Sequence, residues 1–183
     1  NIKVVAFVTE TQLGEIITGT GCNITSPNPN VSINEIIKEI PDREFIAGIP
    51  EIIKCGIIKK NNILKILREK KNKILQRDFN IISKLCMETL KTKIFFFKND
   101  VYEKKNRLIL NFGHTFAHAI EMTTEKMLNK EYLRHGEAVG LGILCELYYS
   151  NGKENSVQKK ILDLLKNYNL PTQIIGKNLK KHV

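Results

Sequence analysis

The sequence predicts a mainly α-helical bundle preceded by a short β-containing segment. Three observations point there. From Pro41 onward, apolar residues recur three and four apart in successive windows up to residue 169. The first forty residues lack that period and carry Gly14, Gly19, Gly21, Pro27 and Pro29, which is loop chemistry. Of the 183 residues, 42% are hydrophobic, enough for a buried core without disulfide staples.

Element by element, residues 2–8 (IKVVAFV) read as a short buried strand and 9–34 as loop, with Val31–Ile33 as a second short strand. Asp42 is placed to cap a helix beginning near Arg43. Gly48 and Pro50 interrupt it, and a fresh helix is expected from Pro50, since proline suits a first turn. Residues 63–76 and 78–98 predict two more helices, the second containing the strand-like run Phe95–Phe97. Arg107–Glu121 predicts a single helix, Gly136–Tyr149 another, and 156–168 the last before Leu170 and Pro171. The division is therefore 1–40, the remnant of another layer, and 41–183, a helical domain.

Charge and cysteine content narrow the function. The formal net charge is +10, but Lys recurs on ordinary solvent-facing helix positions. The densest basic run, KKNNILKILREKKNK, is amphipathic and carries no aromatics for base stacking, so no nucleic-acid partner is expected. No apolar run reaches the ~18 residues of a membrane span, and no secretion signal opens the sequence. Cys22, Cys55, Cys86 and Cys145 show no C-x-x-C spacing, which suits a reducing cytosol. The first residue is Asn1, so processing or a longer parent chain is expected.

Three of the four histidines fall close together: His114, His118 and His135. On one helix, 107, 111, 114 and 118 share a face, placing Arg107, Asn111 and two imidazoles on a single stripe. Such a polar stripe suits a lined pocket. A catalytic zinc takes three protein ligands from His and carboxylate and leaves one position open. Glu51 is a candidate carboxylate, with Lys54 one helical turn on. Spacing allows that pair to be an exposed ion pair, and it does not say which of His114 and His118 binds metal.

REFIAGIPEIIKCGII, RLILNFGHTFAHAIE and LRHGEAVGLGILCE, in that order, resemble 3-dehydroquinate synthase and its sugar-phosphate cyclase relatives. The resemblance covers residues 41 to about 150, with a trailing LPT at 170–172. It implies the C-terminal helical domain of a two-domain enzyme whose N-terminal α/β domain binds nucleotide. It further implies Glu51, His114 and His135 as ligands of zinc or cobalt. Lys54, Lys93, Arg107, Asn111 and His118 then serve the substrate and its protons, and Ile37 and Lys38 match a segment lying beside NAD.

The implied reaction is an NAD-assisted, metal-assisted elimination of phosphate and ring closure, converting a phosphorylated seven-carbon keto acid to 3-dehydroquinate. A cytoplasmic homodimer goes with it. The family's D-x-x-E run fits Asp100 and Glu103. The family's glycine-rich nucleotide turn has no counterpart, and its GGKTG-x-N word survives only as Thr20, Gly21 and Asn23. The 183-residue chain alone is therefore expected not to turn over. The alternatives are another sugar-phosphate cyclase or a non-catalytic helical metal-binding module.

Overall fold

The structure, a computed structural model, describes residues 33–59, 61–152 and 155–174. The strands expected at 2–8 and at Val31–Ile33 lie outside these residues, except that Ile33 opens a helix. Among the described residues there is no strand. The helices are α1 (Ile33–Glu39), α2 (Asp42–Ala47), α3 (Ile49–Ile58), α4 (Ile63–Glu69), α5 (Lys71–Leu75) and α6 (Phe79–Asn99). A 3-10 turn (Asn106–Asn111) follows, then α7 (His114–Leu128), α8 (His135–Asn151) and α9 (Ser156–Asn167).

Two central helices carry the architecture. Residues 47–56, spanning most of α3, and 136–144, the first half of α8, are buried without interruption. A helix that is apolar on all sides belongs in the middle of a bundle. Around that pair, α7 lies along α8, α9 covers another side of α8, and α4 and α6 pack on α3. Ile53, Leu67, Leu85, Val139, Ile143 and Leu165 join in one core. Tyr168, just past α9, ties it to α4 by donating its hydroxyl to the Leu67 carbonyl at 2.7 Å. Ile37 and Ile40 belong to the same core, so α1 packs on the helical body although the sequence division falls at residue 41.

Local chemistry explains most helix ends. The Asp78 carboxylate accepts from Ile81 N and opens α6. Asn155 accepts from Val157 N and Gln158 N and opens α9. Asp42 proves to be the first residue of α2, with Pro41 as its cap, and its carboxylate instead receives Arg77 Nη2 at 2.7 Å. Gly48 stays right-handed at φ −73°, so α2 runs into α3 with only a kink. The single helix expected over 63–76 is broken at Lys70. The Phe95–Phe97 run is the last turn but one of α6, where tertiary packing overrides local strand preference.

The largest correction concerns Arg107–Glu121. Gly113 adopts φ +82°, a left-handed conformation that glycine takes at no steric cost, and it splits the segment. Arg107 and Asn111 sit in the 3-10 turn, while His114 and His118 open α7. The four residues therefore do not form one helical stripe.

Candidate metal centre

Glu51 lies in the first turn of α3, 3% exposed. Its Oε1 receives Lys54 Nζ at 3.1 Å and its Oε2 faces Lys93 Nζ at 3.4 Å. Both lysines are buried, so the exposed-pair alternative for Glu51 and Lys54 does not hold. Burial alone would raise the Glu51 pKa. The charges of Lys54, Lys93 and His114 outweigh it and hold the carboxyl at about 2.

The imidazoles of His114 and His135 gather on this carboxylate, and the ring of His118 packs against both. His114 Nε2 stands 3.4 Å from Glu51 Oε1, while its Nδ1 faces the Phe112 carbonyl at 3.4 Å. A carbonyl only accepts, which places the ring proton on Nδ1 and leaves the Nε2 lone pair toward Glu51. His135, first residue of α8, donates Nδ1–H to Glu121 Oε1 at 3.0 Å. The His118 ring lies 5.6 Å from that of His114 and 5.9 Å from that of His135. Burial and then the Lys54 charge push the His114 pKa down to about 4. The hydrogen bond to Glu121 leads the upward shift of His135.

These donors fit a divalent zinc. The ligand atoms of Glu51, His114 and His135 all lie within 4.8 Å of one another. Two ligands about 2.1 Å from one ion, at a tetrahedral angle, stand about 3.4 Å apart. The His114–Glu51 separation has that value. His114 and His135 each have the second ring nitrogen facing an acceptor, the arrangement that orients metal-binding histidines. A carboxylate has about four lone-pair sites, so two lysines leave room for an ion.

Backbone contact sets these distances. A Cβ on Gly142 of α8 would stand 2.0 Å from the Gly113 carbonyl oxygen, and one on Gly136 would stand 1.7 Å from that of Ala47. Only glycine lets α8 approach this closely, which brings His135 to His114 on α7 and to Glu51 on α3. Charge holds the start of α8 too. Arg43 forks onto Glu137 at 2.9 and 2.7 Å, and Arg134 Nε donates to Glu44 Oε1 at 2.5 Å. The REF word of α2 thereby grips the RHGE word of α8.

Arg107 and Asn111 converge on Glu103, with Arg107 Nη2 3.5 Å from Glu103 Oε2 and Asn111 Nδ2 donating to Oε1 at 2.6 Å. The Asp100 carboxylate organises this turn by accepting from Lys104 N, Lys105 N and Arg107 N, and those bonds lower its pKa. Ile37, 3% exposed, buries its side chain in the core, and its carbonyl accepts from Arg77 Nη1 at 2.9 Å. That leaves no side chain of Ile37 to face a cofactor, because α1 amphipathicity turns it inward. Lys38 is exposed, with its carbonyl also taken by Arg77.

Sequence reasoning passed over Glu121. Its signal was present: 114, 118 and 121 advance by four and three, one face of α7.

The description 3-dehydroquinate synthase C-terminal matches residues 48–183. The chain belongs to that family. A 3-dehydroquinate synthase of Dictyoglomus thermophilum is 37% identical over 159 residues, covering 80% of this chain and 44% of the relative. One from Prochlorococcus marinus (strain MIT 9312) is 35% identical over 147 residues, covering 76% and 39%. This family member thus spans less than half the length of those curated relatives. Among solved structures it resembles ValA, a 2-epi-5-epi-valiolone synthase from Streptomyces hygroscopicus subsp. jinggangensis 5008 with NAD+ and Zn2+ bound. The TM-score is 0.66 at 19% identity, covering 81% of this chain and 42% of the other. At that identity the likeness shows the fold alone, over the part of that chain that is covered.

Proposed function

We propose that this chain forms the metal- and substrate-binding half of a 3-dehydroquinate synthase active site. That enzyme is a cyclising carbon–oxygen lyase acting on a phosphorylated seven-carbon keto acid in aromatic amino acid biosynthesis. The observation that carries the reading is the meeting of Glu51, His114 and His135 within 4.8 Å, with Lys54 and Lys93 on the same carboxylate.

Zinc or cobalt held by Glu51, His114 and His135 would supply Lewis-acid stabilisation of developing charge on substrate oxygens. The chain's own groups do the rest. Lys54 and Lys93 offer buried ammonium groups, fixed by Glu51, for anionic or hydroxyl oxygens of the substrate. His118, exposed beside both ligand rings, can exchange a ring-nitrogen proton with solvent. Arg107 and Asn111, held together through Glu103, serve the substrate from the 3-10 turn. NAD belongs, in this reading, to a nucleotide-binding half joined to this one. A cytoplasmic homodimer belongs to the same reading.

The test is a chimera in which the N-terminal half of the Dictyoglomus relative precedes residue 41. Phosphate release is followed with NAD, zinc and the keto acid. The chimera should turn over, its His114→Ala variant should not, and the 183-residue chain alone should not. A folded, metal-loaded chimera releasing no phosphate would refute the reading and favour a non-catalytic metal-binding module.

A further inference from the structure

We propose that the domain holds a second transition-metal position, built from His118, Glu121 and His135, at the mouth of the first. It rests on the metal centre described above, because His135 belongs to both sets. The ligand atoms of these three residues also lie within 4.8 Å of one another. His118 and Glu121 are one turn apart on α7, and His135 faces them from the start of α8. His135 Nδ1 and Glu121 Oε1 stand 3.0 Å apart. The His118 and His135 rings lie nearly parallel, 29° apart, so both edges can face the same side.

Two imidazoles and one carboxylate select the class of ion. Zinc, cobalt, nickel and copper take such donors, whereas calcium and magnesium take oxygen shells. The surroundings favour a cation as well. A cavity of about 350 Å³ opens beside Glu121 and His135, and Glu125, Glu131, Thr124 and Tyr132 also line it. Glu121 and Glu125 put negative charge at this opening, where it attracts cations, while Glu131 is paired with Arg134. Exposure falls along the route: His118 is exposed, Glu121 and His135 are half-buried, and Glu51 is 3% exposed. An ion arriving from solvent meets the outer set first.

Sharing His135 fixes the relation between the two positions. His135 Nδ1–H donates to Glu121, so an outer ion would compete with that hydrogen bond and with an inner ion for the one ring, which makes the outer position the weaker by about ten- to a hundredfold, the range seen when a hydrogen bond to a metal-binding histidine is lost. Filling it also occupies His118, so excess metal should slow the proposed reaction.

The experiment titrates the purified chain with zinc alone and counts bound ions by equilibrium dialysis, with cobalt absorption as the second readout. The wild-type chain should take up one tight ion and then a weaker one. His118→Ala and Glu121→Gln should each lose only the weaker ion. His118 is exposed, so its truncation leaves the core intact, and unchanged helical circular dichroism checks this. Uptake of a single ion at zinc about a thousandfold above the first dissociation constant overturns the proposal. So does a second ion retained in both variants. Glu51→Ala separates the two claims: a tight ion that survives it refutes the metal centre itself, whereas the outer position is judged by the weaker ion.

Discussion

Replacing Gly142 with alanine tests how the fold places the ligands. The new Cβ would lie 2.0 Å from the Gly113 carbonyl oxygen and 2.9 Å from Ala117 N, where ordinary contact begins at 3.4 Å. Both neighbours are backbone, so no side chain can rotate away. In a close-packed interior, α8 and the start of α7 must part by about 1 Å or more. Overpacking of this kind costs about 1–3 kcal/mol, and a rigid carbonyl puts Gly142→Ala near the upper figure. For a chain of this size, about 3 kcal/mol lowers Tm by about 6–12 °C. His114 adjoins Gly113 and His135 sits on α8, so the same displacement exceeds the ~0.2 Å tolerance of metal–ligand distances. Zinc affinity should fall with stability. Gly140→Ala is the control: its Cβ would stand 3.3 Å from Leu165 Cδ2 and Pro50 Cγ, side-chain atoms that can give. It should shift stability by about 1 kcal/mol or less. Thermal unfolding and zinc titration measure both variants. A Gly142→Ala chain with wild-type Tm and zinc affinity would refute the reasoning.

Three further outcomes are expected. Glu51→Ala strips the carboxylate from two buried lysines and should cost about 3–5 kcal/mol in urea unfolding, as when one member of a buried ion pair is removed. Glu137→Ala removes the acceptor of both the Arg43 guanidinium and Arg134 N and should cost about 1–3 kcal/mol, whereas Arg43→Ala, half exposed, should cost about 1 kcal/mol or less. The His135–Glu121 pair gives opposite pH trends with and without metal. The folded pKa of His135 is raised, so in the metal-free chain its contribution is fully present below about 6.5 and is lost as pH rises through the raised value. Zinc needs the neutral ring, so affinity should rise over that same interval. Glu121→Gln should move the rise to lower pH, read from zinc titrations at several pH values.

The sequence shows the helical bundle because α3, α6 and α9 carry recurrent apolar residues, with Pro50 opening the first of them, and because the start of α8 is apolar on all sides. It hides the break at Gly113. Apolar and polar residues keep helical spacing straight through a glycine whose φ of +82° is set by contact with α8, a tertiary fact. The false stripe over Arg107, Asn111, His114 and His118 followed from that. Glu51, His114 and His135 were nameable from motif words, yet their meeting depends on two glycine contacts between helices far apart in sequence. The burial of Lys54 and Lys93 was likewise invisible, because i,i+3 spacing is the same on an exposed helix and a central one. Ile37 shows the reverse: its place in a motif suggested a ligand contact, while its apolar side chain went to the core. The charged grip between the REF and RHGE words joins residues about ninety apart, beyond any local pattern.

The central claim is that Glu51, His114 and His135 hold one metal ion. The most direct measurement is the zinc retained by the purified chain after extensive dialysis, beside Glu51→Ala, His114→Ala and His135→Ala. The account predicts about one tightly held zinc per chain, the ligand count of a catalytic site, and its loss in all three variants. A folded wild-type chain without zinc, or a tight ion surviving any of the substitutions, would contradict it.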